Sequence, residues 1–533
     1  MPVYATETQS EPSTIRSPPH PIKTQLTDPF LSSDDTQTPP TAGPGAYDVS
    51  VIPPSHEART IVLCFDGTGD QFDTDNSNII QLFSMLKKDD KSQQVVYYQA
   101  GIGTYTIPQV ATPLATRVQK TLDMALGIHL DAHVMGGYEF LMENYHAEDK
   151  ICIFGFSRGA YTARALAGMI HKVGLLPAGN SQQVPFAYKM FSRDDDVGWE
   201  QSTAFKKAFS VDVEIEFVGV WDTVCSVGIV PRTLPFTASN SAIRYFRHAI
   251  SLDERRAKFK ANYYHLLPPE EEKGTKLGEM PRSNHRHPHF HKRHRDHHNR
   301  DKSQAEKEYY NGRAETDALE VWFAGCHCDI GGGSVENGTR NTLARIPLRW
   351  MIRQCFLVNT GIQFHRESFK DVGIDPNTLF PFVTPRPPPL KATASVLAEI
   401  EAFTHRAEPT DSTFTASVQA SPTAASTFQT EEHEDVADAV ARIYDQLKLS
   451  RGWWILEVLP MRHKGMVQKH IPWRKSWRVN VGRPRAFQKT VREKREKVYV
   501  HRSVKIRMEA EKLEGGKYEP KMRFDSYDFE WVD

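Results

Sequence analysis

The stretch from Lys150 to Val173 constrains this chain more than any other. Lys150-Ile151-Cys152-Ile153-Phe154 reads as a buried strand and Ala160 to Val173 as a helix, with only Gly155-Phe156-Ser157-Arg158-Gly159 between them. A strand that turns into a helix within five residues must do so sharply, so the positions two before and two after the central serine have to be small. Gly155 and Gly159 meet that need, and Ala160 and Ala163 let the helix lie close to the sheet. The first turn of such a helix aims free N–H groups and its positive end at Ser157. The pattern G-x-S-x-G in this setting is that of a nucleophile elbow.

Similar strand-to-turn transitions recur along the chain. Ile61-Val62-Leu63-Cys64-Phe65 runs into Asp66-Gly67-Thr68-Gly69-Asp70. A helix is predicted over Asn78–Lys87 with Ser77 as its N-cap, then a strand at Val95–Gln99 and a helix at Ala132–Tyr145. Glu214–Trp221 ends in Asp222-Thr223, and Glu320–Ala324 ends in Gly325-Cys326-His327-Cys328-Asp329. Unbroken apolar strands alternating with helices indicate an α/β fold, α/β-hydrolase-like, with a mostly parallel sheet flanked by helices. In such sheets ligands bind at the carboxyl ends of the strands, where four of these polar clusters fall.

A serine hydroxyl needs a base, and the base an acid, in the chain order Ser, acid, His. Asp222 and His327 both follow Ser157 at strand ends and complete a candidate triad. His248, His265 and His501 are rival bases. The backbone N–H of Arg158 is expected to hold the oxyanion, with a second donor from Gly67 or Thr68. The triad needs no cofactor, and no metal is expected. Two other readings stand beside this one. Asp66, Asp222 and Asp329 at neighbouring strand ends offer oxygen ligands for a cation and a metal-assisted hydrolysis built on Asp66 and Asp329. The chain could also keep the fold as an inactive binding protein, a role that has no need of all three triad side chains.

The same segments resemble the DUF2235 family, also called the Tle1-like phospholipase catalytic domain after bacterial type VI secretion effectors. The resemblance rests on Phe65-Asp66-Gly67-Thr68-Gly69, Tyr98-Gln99-Ala100-Gly101-Ile102-Gly103, Gly155 to Arg164, Val220-Trp221-Asp222-Thr223-Val224 and Val321 to Gly333, in that order over roughly 59–360. It implies an α/β-hydrolase fold, a triad of Ser157, Asp222 and His327, and a lipid or other ester as substrate. Phe156 stands where many members place a polar residue or histidine, and Cys326 and Cys328 flank His327.

The remaining sequence divides by composition. Residues 1–58 are rich in Pro, Ser, Thr and Asp and are expected to be disordered. The hydrolase domain is placed at 59–383, with a surface insertion at about 269–312 that contains His285, His287, His289, His291, His294, His297 and His298 without fixed ligand spacing. Residues 384–435 read as a low-complexity linker. Residues 436–533 read as a basic segment, with a helix over Val436–Leu447, whose Trp453, Trp454, Trp473 and Trp477 pack it onto the hydrolase domain. Lys plus Arg equals Asp plus Glu at 66 each, which argues against nucleic acid as a partner, while a lipid substrate leaves room for peripheral membrane contact. The six cysteines form no CxxC pair, and most sit in apolar runs rather than a disulfide framework. Met1–Gln9 lacks the apolar core of a signal peptide, and no stretch approaches the roughly 20 apolar residues of a membrane helix, so a cytoplasmic location is expected.

Overall fold

The chain's buried strands owe their sequences to a sheet covered on both faces. The structure, a computed structural model, describes residues 50–101, 130–224, 234–264, 316–407, 430–463, 476–487, 497–525 and 527–533, all within one compact unit. Among the described residues its main sheet has eight strands: β1 (Thr60–Phe65), β2 (Gln94–Gln99), β3 (Lys150–Phe156), β4 (Ile215–Trp221), β5 (Ile243–Ser251), β6 (Asp317–Phe323), β7 (Val498–His501) and β8 (Phe529–Val532). Their order is β8-β7-β6-β5-β4-β3-β1-β2, and every pairing is parallel. Alternate residues of β1 serve opposite layers: Val62 and Cys64 enter one core, Ile61, Leu63 and Phe65 the other. A strand with period-2 side chains and two apolar faces must therefore be apolar throughout.

Helices α1 (Asn78–Met85) and α2 (Leu130–Asn144) lie on opposite faces, and α3 (Ser157–Val173) is buried along its whole length on the face shared with α2. Ser77 caps α1 by accepting from the backbone N–H groups of Ile79 and Ile80, as its sequence position foretells, though the helix stops at Met85. Two further helices, α4 (Val184–Ser192) and α5 (Asp196–Phe209), pack beside α3. The chain passes from β1 to β2 at one edge, then returns to lay β3 on the other side of β1. That reversal opens a crevice between the carboxyl ends of β1 and β3, the place where an open α/β sheet receives a ligand. The loop Asp66–Asp70 and Ser157 stand at its two sides.

The last hundred residues depart from the expected picture. They do not merely pack against the domain: β7 and β8 extend its sheet, β7 pairing directly with β6. The helix expected over Val436–Leu447 is instead α8 (Glu431–Ala439), lying against α7 (Arg345–Leu357), and the short α9 (Trp453–Val458) follows. Within the stretch read as a linker, Ala394–Ala407 is helical and Arg386 is engaged by Glu431, Glu432 and Asp435. The charges on α7 and α8 explain the docking. Arg345, Arg349 and Arg353 recur every fourth residue and share a helix face, as do Glu431, Glu434, Asp435 and Asp438. Arg345 meets Glu434, Arg349 meets Asp435 and Asp438, and Arg353 meets Glu431, with N–O distances of 2.8, 2.7, 2.7 and 2.6 Å. The His-rich tract, the N-terminal segment through 49 and residues 408–429 of the expected linker lie outside the described residues.

Candidate active site

Ser157 is the first residue of α3 and takes a left-handed backbone, φ 58°. The cost of that conformation is borne by the tight turn around it. A Cβ on Gly155 would come within 2.5 Å of the Gly159 carbonyl oxygen, and one on Gly159 would come within 2.3 Å of the Phe65 and Asp66 carbonyl oxygens. Both glycines are thus required by close backbone approach, on the strand side and on the β1 side.

Asp222 follows β4 with φ 40°, and His327 opens the short helix α6 (His327–Gly331) just after β6. The three side chains, 170 residues apart at most in sequence, form a continuous hydrogen-bonded chain. His327 Nε2 lies 2.8 Å from Ser157 Oγ, and His327 Nδ1 lies 2.6 Å from Asp222 Oδ2. An ionised carboxylate only accepts, so Nδ1 donates to Asp222 and Nε2 is left to accept from the serine hydroxyl. All three residues are buried.

Charge decides how this chain is held. Burial alone would raise the Asp222 carboxyl, but the Arg485 guanidinium and the hydrogen bonds from His327 and Arg485 overcome it and hold it well below the usual carboxylate range. Arg485 grips both oxygens: Nη1 donates to Oδ1 at 2.5 Å and Nη2 to Oδ2 at 2.8 Å, the two-pronged geometry in which guanidinium and carboxylate bind best. The Ser251 backbone N–H donates to Oδ1 as well, at 3.0 Å. For His327, burial dominates and lowers the imidazole below its ordinary value, against the pull of Asp222, so the ring is neutral and able to take a proton at neutral pH. Its backbone N–H donates to Glu254, which is paired with Arg256 at 2.8 Å. The ring packs between Phe156 and Phe259, each with its centroid 4.8 Å away.

The other residues singled out by the sequence fall as follows. Asp66 accepts from Ser77 Oγ, Tyr98 Oη and the Gly67 N–H at 2.6, 2.8 and 2.8 Å, so it fixes its own loop, and the Gly67 N–H is occupied in doing so. Asp329 accepts from the backbone N–H groups of Cys326 and Tyr444 at 2.7 and 3.1 Å, and burial pushes its carboxyl up to about 7. Among the described residues no cluster of three or more His, Cys, Asp or Glu is arranged to hold an ion. His248 bridges Glu320 and the Thr223 N–H and braces the turn after Asp222; His501 stacks on Phe323 at the start of a C-terminal helix; His265 lies outside the described residues. Sequence reasoning missed Glu254, Arg256 and Arg485. The first two follow β5, a strand not recognised as such, and a charged run at a strand end was their available signal. Arg485 carried none, lying in a basic segment 263 residues from its partner.

Residues 59–354 match the family described as "T6SS, Phospholipase effector Tle1-like, catalytic domain". The chain belongs to this family. The Tle1-like match spans β1 to β6 and all three candidate triad residues, and leaves Arg485, β7 and β8 outside it. An uncharacterized protein of Saccharomyces cerevisiae, YEL023C, is 39% identical over 239 residues, which is 42% of this chain and about a third (35%) of that protein's length. Among solved structures, an uncharacterized protein from Pseudomonas aeruginosa is similar at 17% identity and a TM-score of 0.31, covering 66% of this chain and 51% of that one. The Tle1 effector bound to the VgrG spike of the type 6 secretion system is similar at 17% identity and a TM-score of 0.27, covering 54% and 53%. Among the described residues no helix is long and apolar enough to cross a membrane.

Proposed function

We propose that this Tle1-like protein is a serine hydrolase that cleaves a carboxylic ester in a lipid. The hydrogen-bonded chain from Ser157 through His327 to Asp222 carries the reading. Ser157 Oγ attacks the ester carbonyl while His327 Nε2 takes its proton; His327 then returns that proton to the leaving alcohol, and water repeats the sequence on the acyl-enzyme. Asp222 holds the imidazole tautomer and stabilises the imidazolium. The backbone N–H of Arg158, at the N-terminus of α3, holds the oxyanion, and with the Gly67 N–H engaged by Asp66 the second donor falls to Thr68. A lipid substrate fits the surroundings of His327: Phe259 bridges its ring to Trp453 of α9, and α9 and the residue after it expose Ile455, Val458 and Leu459.

Labelling by a fluorophosphonate probe tests the reading. Wild type labels and Ser157→Ala does not, and the variant's ester turnover falls by roughly a millionfold, to the level left by binding and oxyanion stabilisation alone. Equal labelling of the two proteins would remove Ser157 from the mechanism.

A further inference from the structure

Asp222 and His327 follow β4 and β6, so their separation is set across β5, the strand between. The segment at the end of β5 reaches both neighbours. The Ser251 backbone N–H donates to Asp222 at 3.0 Å, and Ser251 Oγ donates to the Gly325 carbonyl at 2.7 Å. Asp253 forms a reciprocal pair with the same glycine. Its backbone N–H donates to the Gly325 carbonyl at 3.0 Å, and its Oδ2 accepts from the Gly325 N–H at 2.8 Å. Three consecutive amides then end on three buried carboxylates: Gly325 donates to Asp253, Cys326 to Asp329 at 2.7 Å, and His327 to Glu254 at 3.3 Å. Gly325 has φ 112°, and a Cβ there would come within 2.5 Å of Asp329 Cβ. The Asp329 side chain is thus folded back onto the turn that delivers His327.

Two of these carboxylates are held differently from the other buried acids of the site. Asp222 pairs with Arg485 and Glu254 with Arg256, but among the described residues neither Asp253 nor Asp329 forms an ion pair. Burial raises both carboxyls. Their partners are neutral donors, and those outside the His327 loop come from the C-terminal region. Asp253 accepts from Tyr518 Oη at 2.7 Å and the Lys521 N–H at 2.9 Å, and Asp329 from the Tyr444 N–H at 3.1 Å. All three donors lie beyond residue 354, where the family match ends. A buried amide must end on an acceptor, and an acceptor held from its far side fixes where the amide lies. We infer that Asp253 and Asp329 are positioning residues for the base: they fix the backbone of Gly325 and Cys326, and the C-terminal region holds them in turn, so that its docking sets the reach of His327 towards Ser157. The inference rests on the serine-hydrolase reading above. The two carboxylates move no proton; they keep His327 Nε2 at 2.8 Å from Ser157 Oγ.

The experiment uses the full chain and reads kcat per labelled serine on a p-nitrophenyl ester, with labelled serine counted after exhaustive fluorophosphonate treatment. That readout cancels any loss of folded protein. A base displaced by about 1 Å can cost a hundredfold, so Asp329→Ala is expected to lower kcat per labelled serine by roughly ten- to hundredfold, with KM little changed. Asp329→Asn keeps an acceptor oxygen for Cys326 and should recover most of that loss. Gly325 and Lys521 donate to different oxygens of Asp253, and Asp253→Asn keeps only one acceptor. It should lose roughly three- to tenfold, and it supplies the test where Asp329→Ala does not fold. A lower labelled fraction with wild-type kcat per labelled serine would give the carboxylates a purely structural role and overturn the inference. A loss in Asp329→Asn as large as in Asp329→Ala also overturns it, because the charge and not the hydrogen bond would then act. Either result leaves the hydrolase reading standing. Equal labelling of Ser157→Ala and wild type overturns that reading first, and the positioning role with it.

Discussion

The region from β1 to β6 and the region from α8 to β8 contribute to one site in opposite ways. The first carries Ser157, Asp222 and His327, the proposed reacting groups, at strand ends, each announced by an apolar run that stops at a polar turn. In the second, Arg485 holds the Asp222 carboxylate by two hydrogen bonds, Trp453 packs on Phe259 beside His327, and β7 extends the sheet next to β6. The family match covers the first region and stops before the second. A family boundary drawn on recurring motifs is therefore not the boundary of the structural unit. The reacting groups are set by chemistry common to many chains, whereas the groups that hold them can come from any segment that reaches the site.

The strongest way to break this comparison is at the joint between the regions. Arg349 of α7 is 1% exposed at its side chain and pairs with Asp435 and Asp438 of α8. Replacing it by Met takes one of two cations from each of these buried carboxylates, leaving Asp435 to Arg386 and Asp438 to Arg345, a loss of about 3 kcal/mol, at the low end for a broken buried pair. Denaturant unfolding should show that loss in a single transition with activity disappearing alongside. A normal unfolding midpoint would mean that α8 is a separable appendage.

Arg485 sharpens the comparison at the site itself. Arg485→Gln should lower kcat/KM for an ester roughly ten- to hundredfold, as expected from hydrogen bonds to a charged group worth about 1.5–3 kcal/mol. It should also move the pH profile. The base acts in its neutral form, so activity falls as pH drops through the His327 value. Removing a nearby cation makes imidazolium easier to form, and the acid limb of kcat/KM moves to higher pH. Arg485→Lys keeps the charge and should restore the limb more than the rate. A drop in rate with an unmoved limb in both variants would assign Arg485 a packing role only.

The smallest effect concerns His501 at the end of β7. Burial is the main cause that lowers its imidazole to about 3 from an ordinary 6.5. The folded state thus keeps this ring neutral while the unfolded chain protonates it, so stability is fully present above pH 6.5 and is lost as pH falls toward 3. Between pH 6.5 and 5 the loss from this one group is about 2 kcal/mol. His327 and His248 are also lowered, chiefly by burial, and act in the same direction. Global unfolding of His501→Gln should therefore show a shallower acid slope than wild type, not a flat one. An identical slope would place β7 outside the cooperative core.

How much was legible in the sequence follows from these particulars. The strands around Ser157, Asp222 and His327 could be read because a parallel strand covered on both faces must be apolar throughout, and because a serine squeezed between a strand and a helix requires Gly155 and Gly159 where they stand. Those are local constraints, and local constraints are written in consecutive residues. β7 and β8 have four residues each, set among charged ones; β7 shows only the short run Val498-Tyr499-Val500, legible as a strand edge, and β8 offers less. The acidic stretch that forms α8 was visible as composition, but three of its arginine partners lie on a helix some 80 residues earlier, and only folding sets the two faces together. Arg485 is the clearest case. Nothing in its neighbourhood distinguishes it from the other basic residues of the segment; it became the anchor of Asp222 because folding buries that carboxylate completely and brings the Arg485 guanidinium against it. By itself the sequence determined the fold class and singled out Ser157, Asp222 and His327, the three side chains that the structure joins in one hydrogen-bonded chain. Only the tertiary structure decided which distant charges surround them, because pairing in a buried site depends on proximity in space and the sequence records proximity only along the chain.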